Sequence, residues 1–132
     1  MRSRPCHPPY RHRLHLHSSR IVGRVADESD AEIARGQRAA RHTALAVLAT
    51  LRAELGSLDR VERVLKTFGM VNCVPSFQRH PRVIDGYSEV MRAVFGDDSG
   101  VGVRSAVGVG SLPGDITTEC EGVFVVRDDD DC

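Results

Sequence analysis

Apolar residues recur every three to four positions in two stretches of the chain, the spacing that lines one face of an α-helix. The first stretch follows Ser29 and ends before Gly56, a residue type that commonly terminates helices. Ser29 and Glu32 have the spacing of a capping box, which satisfies free amides at a helix start. The second stretch covers residues 81–95. The apolar positions are Ile33, Ala40, Ala44, Val47, Leu48, Leu51 and Leu55 in the first stretch, and Val83, Tyr87, Val90, Met91 and Val94 in the second.

Other stretches alternate in the way that predicts β-strands. Residues 58–73 predict a short turn and then a strand with apolar groups on both faces, typical of a strand between a helix and a subunit contact. Residues 104–109 and 117–126 predict two final strands, joined as a hairpin by a turn at 112–115. Residues 21–25 predict a further short strand. This order predicts an α+β fold in which two helices pack on one face of a mixed sheet.

Length and charge narrow the possibilities. A chain of 132 residues is expected to form one domain. Its net charge is zero, but the first twenty residues carry five Arg and no acid, and the remainder carries 13 basic and 18 acidic side chains. The mildly acidic remainder argues against a nucleic-acid-binding surface there. Residues 128–131 are a run of Asp that predicts a solvated acidic tail over 128–132.

The cysteines and apolar runs indicate a reduced, cytoplasmic chain. Cys6, Cys73, Cys120 and Cys132 show neither CxxC pairing nor a metal-ligand spacing. The longest apolar-rich run, 44–49, is far too short to span a membrane. The basic N-terminus lacks the apolar segment of a secretory signal.

The segment 104–121, RSAVGVGSLPGDITTECE, has the strongest chemical pattern. Arg104 heads a strand of small residues, and an arginine fork binds a planar carboxylate bidentately. Ala106 shares the face of Arg104 and would leave an open pocket floor. Glu119 follows on the next strand and could position a water. A structural salt bridge for Arg104 and an exposed strand position for Glu119 are the alternative interpretations.

This segment also resembles the signature of the RidA family, the reactive imine and enamine deaminases also called YjgF or L-PSP proteins. The resemblance runs from about residue 21 to residue 126, and VNCVPSFQRHPRVIDGYSE at 71–89 is closest to a divergent branch. It implies a chorismate-mutase-like fold that forms a homotrimer with the sheets facing inward. It further implies a site in each intersubunit cleft, where Arg104 binds the substrate carboxylate and Glu119 orients the attacking water.

The function implied by the resemblance is hydrolytic deamination of small 2-imino and 2-enamino acids to 2-keto acids and ammonia, without a metal or organic cofactor. The family also brings a Tyr and a Ser to its pocket from its first strands, and residues 1–20 match neither one. That difference favours the alternative, a non-catalytic trimer that binds a small carboxylate or a protein. Endoribonuclease activity, attached to parts of this family, is a third and weaker interpretation, because no general acid–base pair supports it.

The remaining candidates have competing interpretations. Asn72 could bond the cleft backbone or simply start a turn before Pro75. Cys73 has no basic partner at a known spacing, so an inert thiol is the preferred interpretation. The histidines within residues 1–20 lack the acid or cysteine that would complete a metal site. Two interpretations stay open for that segment, a reading-frame error and a genuine disordered extension, and we treat residues 21–127 as the RidA-like domain.

Overall fold

The computed structural model describes residues 11–16 and 21–128. These residues form two helices and four strands, with short 3₁₀ helices at Leu58–Arg60 and Pro113–Asp115. In chain order the elements are β1 (Arg11–Leu16), α1 (Asp30–Leu55), β2 (Val61–Asn72), α2 (His80–Phe95), β3 (Val103–Val109) and β4 (Thr118–Val126).

The four strands form one mixed sheet in the order β1-β4-β2-β3. β3 runs parallel to β2, whereas β4 is antiparallel to both β2 and β1. The predicted hairpin between the last two strands is therefore wrong, because β2 lies between them. A strand–helix–strand unit places its two parallel strands side by side, so β3 takes one edge of β2 and leaves the other edge for β4.

Both helices form close to where the sequence predicts them. The Ser29 hydroxyl accepts a hydrogen bond from the Glu32 amide and caps α1. The capping box is only half formed, because the Glu32 carboxylate accepts from the amide of Ala26, and the Ser29 amide donates to Asp27. All predicted apolar positions of α1 are buried. In α2 the exception is Val94, which is 44% exposed near the helix end.

The helices cover one face of the sheet, and the core lies between these two layers. Phe124 and Tyr87 are the largest fully buried side chains there. A Cβ atom on Gly69 would stand only 2.7 Å from the Ile84 side chain, so a glycine in β2 lets α2 approach the sheet closely. The chain thus forms the predicted α+β layer of two helices on a mixed sheet.

No helix of the described residues covers the opposite face of the sheet, which we call the open face. Phe68 and Met70 of β2 are half-buried on this open face, and Val107 of β3 is 37% exposed. Val103, at the start of β3, is 68% exposed. This distribution agrees with the two-sided apolar pattern of β2.

The N-terminal segment differs in part from its prediction. Arg11–Leu16 form β1, paired antiparallel with Arg11 opposite Val125 and Leu16 opposite Cys120. A free edge of β4 would leave backbone donors and acceptors unpaired, and β1 satisfies them. The rest of residues 1–20 and the acidic tail beyond Asp128 lie outside the described residues. The predicted strand at 21–25 is reduced to two isolated bridges, Val22 with Ile116 and Val25 with Cys73.

Candidate functional site: an arginine-lined cleft

Arg104 stands near the start of β3, on the sheet face that the helices cover. It lies opposite Thr67 of β2. Its Nη1 donates to the Asp85 carboxylate at 2.9 Å and to the Ser88 hydroxyl at 3.1 Å. Both acceptors lie on α2, three residues apart, and therefore on one side of that helix. The helix thus fixes the guanidinium from one side.

The remaining edge of the guanidinium is available for a ligand. Within the described part of the chain, the hydrogen bonds of Arg104 all use Nη1, so Nε and Nη2 keep their donors. These two nitrogens form one of the edges at which arginine binds a carboxylate bidentately. The side chain is 27% exposed and borders a cleft of about 380 Å³. The lining residues are Thr67, Ser88, Met91, Arg92, Asp97, Gly100, Val101, Gly102 and Arg104.

Ala106 lies on the same strand face as Arg104, as the alternation of β3 predicts. It pairs with Gly69 and packs, half-buried, against the core. The ion pair of Arg104 with Asp85 is also the structural salt bridge of the alternative interpretation. The two interpretations are therefore compatible, since the salt bridge occupies only one end of the fork.

Glu119 does not share this site within one chain. Its neighbour Thr118 points toward the helices and its hydroxyl lies 3.1 Å from that of Thr43 on α1, so Glu119 faces the open side of the sheet. Glu119 pairs with Met70, whereas Arg104 pairs with Thr67 across the other edge of β2. Ideal strand spacings put the two Cα atoms about 14 Å apart. Glu119 is 4% exposed.

Two weak acids lie beneath Arg104 in the core. Burial raises the pKa of the Cys120 thiol to about 12, with the Glu119 carboxylate adding to the rise and the Arg104 guanidinium opposing it. Burial, followed by the Cys120 charge, raises the pKa of the Tyr87 hydroxyl far above its usual value, while the nearby Thr67 hydroxyl opposes the rise. Both groups stay neutral at physiological pH, so neither adds a negative charge beside Arg104 to that of Asp85.

Asn72 has a structural task at the far end of β2. Its side-chain amide donates to the Asp115 carboxylate and to the Ile116 carbonyl, both at 3.1 Å. These bonds hold the loop that carries the chain from β3 across the end of β2 to β4. Asn72 is fully buried and does not line the Arg104 cleft. The structure therefore separates it from the predicted carboxylate site.

The roles of Asp85 and Ser88, which orient Arg104, are not evident from the sequence. Their spacing of three indicates a shared helix side, but nothing in the pattern tells which strand residue stands opposite them. No cluster of three or more metal-binding side chains occurs among residues 21–128, where side chains are described. Neither described helix is long and apolar enough to cross a membrane.

The fold, with an arginine at the head of a parallel edge strand, defines a class of small α+β proteins related to YjgF. A solved structure of the Agrobacterium tumefaciens protein Atu1372, of unknown function, is 34% identical, with a TM-score of 0.75 over 81% of this chain and 68% of that one. A candidate endoribonuclease from Shewanella oneidensis has a TM-score of 0.73 at 22% identity, covering 81% and 69%. The Escherichia coli YjgF product has a TM-score of 0.52 at 22% identity, covering 69% and 65%.

The chain belongs to the YjgF/RidA family as a divergent member. It is also 46% identical over 81 residues to Protein TCP17 of Trypanosoma cruzi. That match covers 61% of this chain, and the chain spans about half the length of that curated relative. No family model matches the chain.

Proposed function

We propose that the protein hydrolyses small 2-imino or 2-enamino acids to 2-keto acids and ammonia, with the substrate carboxylate bound by Arg104. The observation that carries this proposal is the geometry of the guanidinium. Asp85 and Ser88 hold Nη1, while Nε and Nη2 keep their donors and the side chain borders a cleft large enough for a small metabolite. A preoriented fork loses little conformational freedom when it binds.

The proposed chemistry needs a positioned electrophile and one water. Once Arg104 holds the carboxylate, the adjacent C=N carbon is presented at a fixed distance and orientation. A 2-enamino acid first becomes the imine as a proton moves from its nitrogen to its β-carbon. Water then adds to the C=N carbon, the C–N bond breaks, and the nitrogen leaves as ammonia with the two protons of the water. Fixing the reacting groups can supply much of the acceleration, because these electrophiles are intrinsically reactive.

A water-orienting Glu119 requires a second copy of the chain in this proposal. Within one chain, Glu119 and Arg104 lie on opposite sheet faces and point into different surroundings. The open face carries Phe68, Met70 and Val107, an apolar surface suited to self-association. We therefore propose a homotrimer in which the open face of one copy supplies Glu119 to the Arg104 cleft of its neighbour.

The decisive experiment compares arginine variants. Activity is measured as keto-acid and ammonia release from enzymatically generated 2-aminoacrylate. Arg104→Ala should lose about 3 kcal/mol or more of transition-state binding, calculated from the fall in kcat/KM, which is the scale for removing a charged partner. Arg104→Lys should rescue poorly, since a point charge cannot replace the fork. Arg63→Ala is the matched control, because Arg63 forms an ion pair with Asp98. Full activity in folded Arg104→Ala would refute the proposal.

A non-catalytic carboxylate-binding trimer is the second candidate. It is favoured by the separation of Arg104 from Glu119 and by the absence of a match for the family's pocket Tyr and Ser. Under this alternative, small 2-keto acids would bind in calorimetry in an Arg104-dependent manner, and ammonia release would stay at the uncatalysed rate. The same two measurements therefore distinguish the enzyme from the binding protein.

A further inference from the structure

A second cleft lies at the opposite end of β3 from Arg104. It has a volume of about 310 Å³ and is lined by Cys73, Val74, Pro75, Phe77, His80, Gly108, Val109 and Gly110. None of these residues borders the Arg104 cleft. The proposed deaminase site therefore does not account for this cavity.

Gly108 brings a thiol and an imidazole together in this cleft. A Cβ atom at Gly108 would overlap both Cys73 Sγ, at 2.8 Å, and His80 Nε2. Since both atoms lie within 3 Å of that point, no more than about 6 Å separates them, a gap that one water or a small side-chain rotation closes. The His80 ring is also held edge-on against Phe77, with ring centroids 5.4 Å apart.

The surroundings of Cys73 keep the thiol protonated at rest, although a cation stands nearby. Burial raises the pKa of the Cys73 thiol, while a backbone hydrogen bond with Val109 and the Arg24 guanidinium lower it. Arg24 donates to the Gly110 carbonyl, which places this cation at the cleft border. A protonated thiol of this kind needs a base to become a nucleophile.

We propose that Cys73 and His80 form a nucleophilic dyad that takes small, carboxylate-bearing carbon electrophiles, with Arg24 attracting the carboxylate. In the reaction, the thiol proton moves to the free ring nitrogen of His80 as the sulfur attacks. A new S–C bond forms. With an activated alkene, the C=C π bond breaks and the proton finally adds to the neighbouring carbon. With a haloacid, the carbon–halogen bond breaks and halide leaves.

The test uses iodoacetate and iodoacetamide as matched probes that differ in charge. Modification of Cys73 is followed by peptide mass spectrometry in a Cys6→Ser, Cys132→Ser background, with the fully buried Cys120 as the internal unreactive reference. We expect Cys73 to react at pH 7.5 without denaturant. Its iodoacetate-to-iodoacetamide rate ratio should exceed that of free cysteine at least fivefold.

Two substitutions distinguish the role of His80 as the base from the role of Arg24 as the cation. His80→Gln should slow both probes about tenfold or more and move the onset of reactivity to higher pH. Arg24→Gln should abolish only the preference for iodoacetate. His42→Gln, a change at an exposed histidine of α1, should alter neither rate.

The proposal is overturned if Cys73 reacts only after denaturation, or if His80→Gln leaves the rates and the pH profile unchanged. A rate ratio equal to that of free cysteine would overturn the carboxylate preference. Circular dichroism of each variant confirms that the fold is intact. Because the Arg104 cleft is separate, loss of deaminase activity in Arg104→Ala has no bearing on these outcomes.

Discussion

The two faces of the sheet differ in how they are covered. Helices of the same chain pack on one face, and no described helix packs on the other. On the covered face, the Ile84 side chain packs closely against Gly69. Phe124 and Tyr87 are fully buried there within a single chain. On the open face, Phe68 and Met70 are only half-buried and Val103 is 68% exposed. The covered face therefore explains how the chain folds, and the open face is the surface that the proposed trimer would bury.

The proposed catalytic groups divide between the same two faces. Arg104 is oriented by α2 on the covered side, whereas Glu119 lies on the open side. A chain can fold correctly and still hold only half of such a site. Assembly then becomes a condition for activity, and each of the following predictions tests that contrast.

The largest expected effect comes from truncating one phenylalanine on each face. Phe124→Ala should lower the free energy of unfolding by about 3–5 kcal/mol, because it leaves a cavity in a closed core. Phe68→Ala should cost less than about 1 kcal/mol in the monomer, since its side chain is only partly buried there. Urea denaturation at low protein concentration measures both. Equal losses would show that the two faces are packed alike.

Sedimentation equilibrium tests whether the chain self-associates through the open face. The unmodified chain should form a trimer, and Phe68→Asp should shift it toward monomer by placing a charge on the open face. A stable monomer of the unmodified chain would remove the intersubunit site.

Complementation tests whether Arg104 and Glu119 act from different copies. Arg104→Ala and Glu119→Gln should each be nearly inactive alone. Unfolded together and refolded as mixed trimers, they should recover about one quarter of the active sites, because each site takes its two residues from neighbouring copies. Separately refolded samples mixed afterwards are the control. If co-refolding recovers nothing while both variants trimerise, the two residues do not form a shared site.

On the covered face, removing Asp85, which orients Arg104, should reduce activity less than removing Arg104 itself. Asp85→Ala should lower kcat/KM by a factor that corresponds to about 1–2 kcal/mol. The reason is that the guanidinium loses a hydrogen bond of 2.9 Å without losing its charge. Asp85→Asn, which keeps an acceptor, should lose less. Steady-state kinetics on 2-aminoacrylate measures both, and an unchanged kcat/KM in Asp85→Ala would show that α2 does not orient the fork.

The smallest expected effect concerns a contact completed within one chain. Hydrogen bonds from Arg35 and from the Ala26 amide hold the pKa of Glu32 below its ordinary value of 4.5. Its stabilisation is therefore fully present above pH 4.5 and is lost as pH falls through the lower, folded-state pKa. Glu32→Gln should cost about 1 kcal/mol at pH 7 and progressively less in acid, whether or not the chain is assembled.

Thermal unfolding between pH 3 and pH 7 checks this last expectation, with Glu62→Gln, a change at an exposed carboxylate, as the control. A penalty for Glu32→Gln that stays constant down to pH 3 would contradict it.

Local pattern was enough to find most of the elements. The cap at Ser29, the buried stripe of α1 and the alternation of β2 all depend on residues close in sequence, and the structure has them within a few residues of their predicted bounds. The same holds for Arg104 and Ala106, which share a face because alternation along a strand is a local property. The open, apolar face of β2 was visible for the same reason.

Long-range pairing was not available from those patterns. The β3–β4 hairpin was wrong because alternation describes which face a residue takes and does not describe which strand lies beside it. The chain crosses the end of β2, where Asn72 bonds to Asp115 and Ile116, three residues that no periodicity connects. β1 was not predicted, because the composition of its residues does not indicate a strand. Backbone pairing with β4 forms the strand instead.

The sequence by itself determined the helices, the two-faced central strand and the arginine that marks the family, since each is encoded by neighbouring residues. Only the tertiary structure decided that Asp85 and Ser88 orient Arg104, that Glu119 faces away from it, and that Cys73 and His80 meet over Gly108. These contacts join residues from separate elements. Their geometry depends on strand order and on how closely a helix approaches the sheet, and both are properties of the packed chain as a whole.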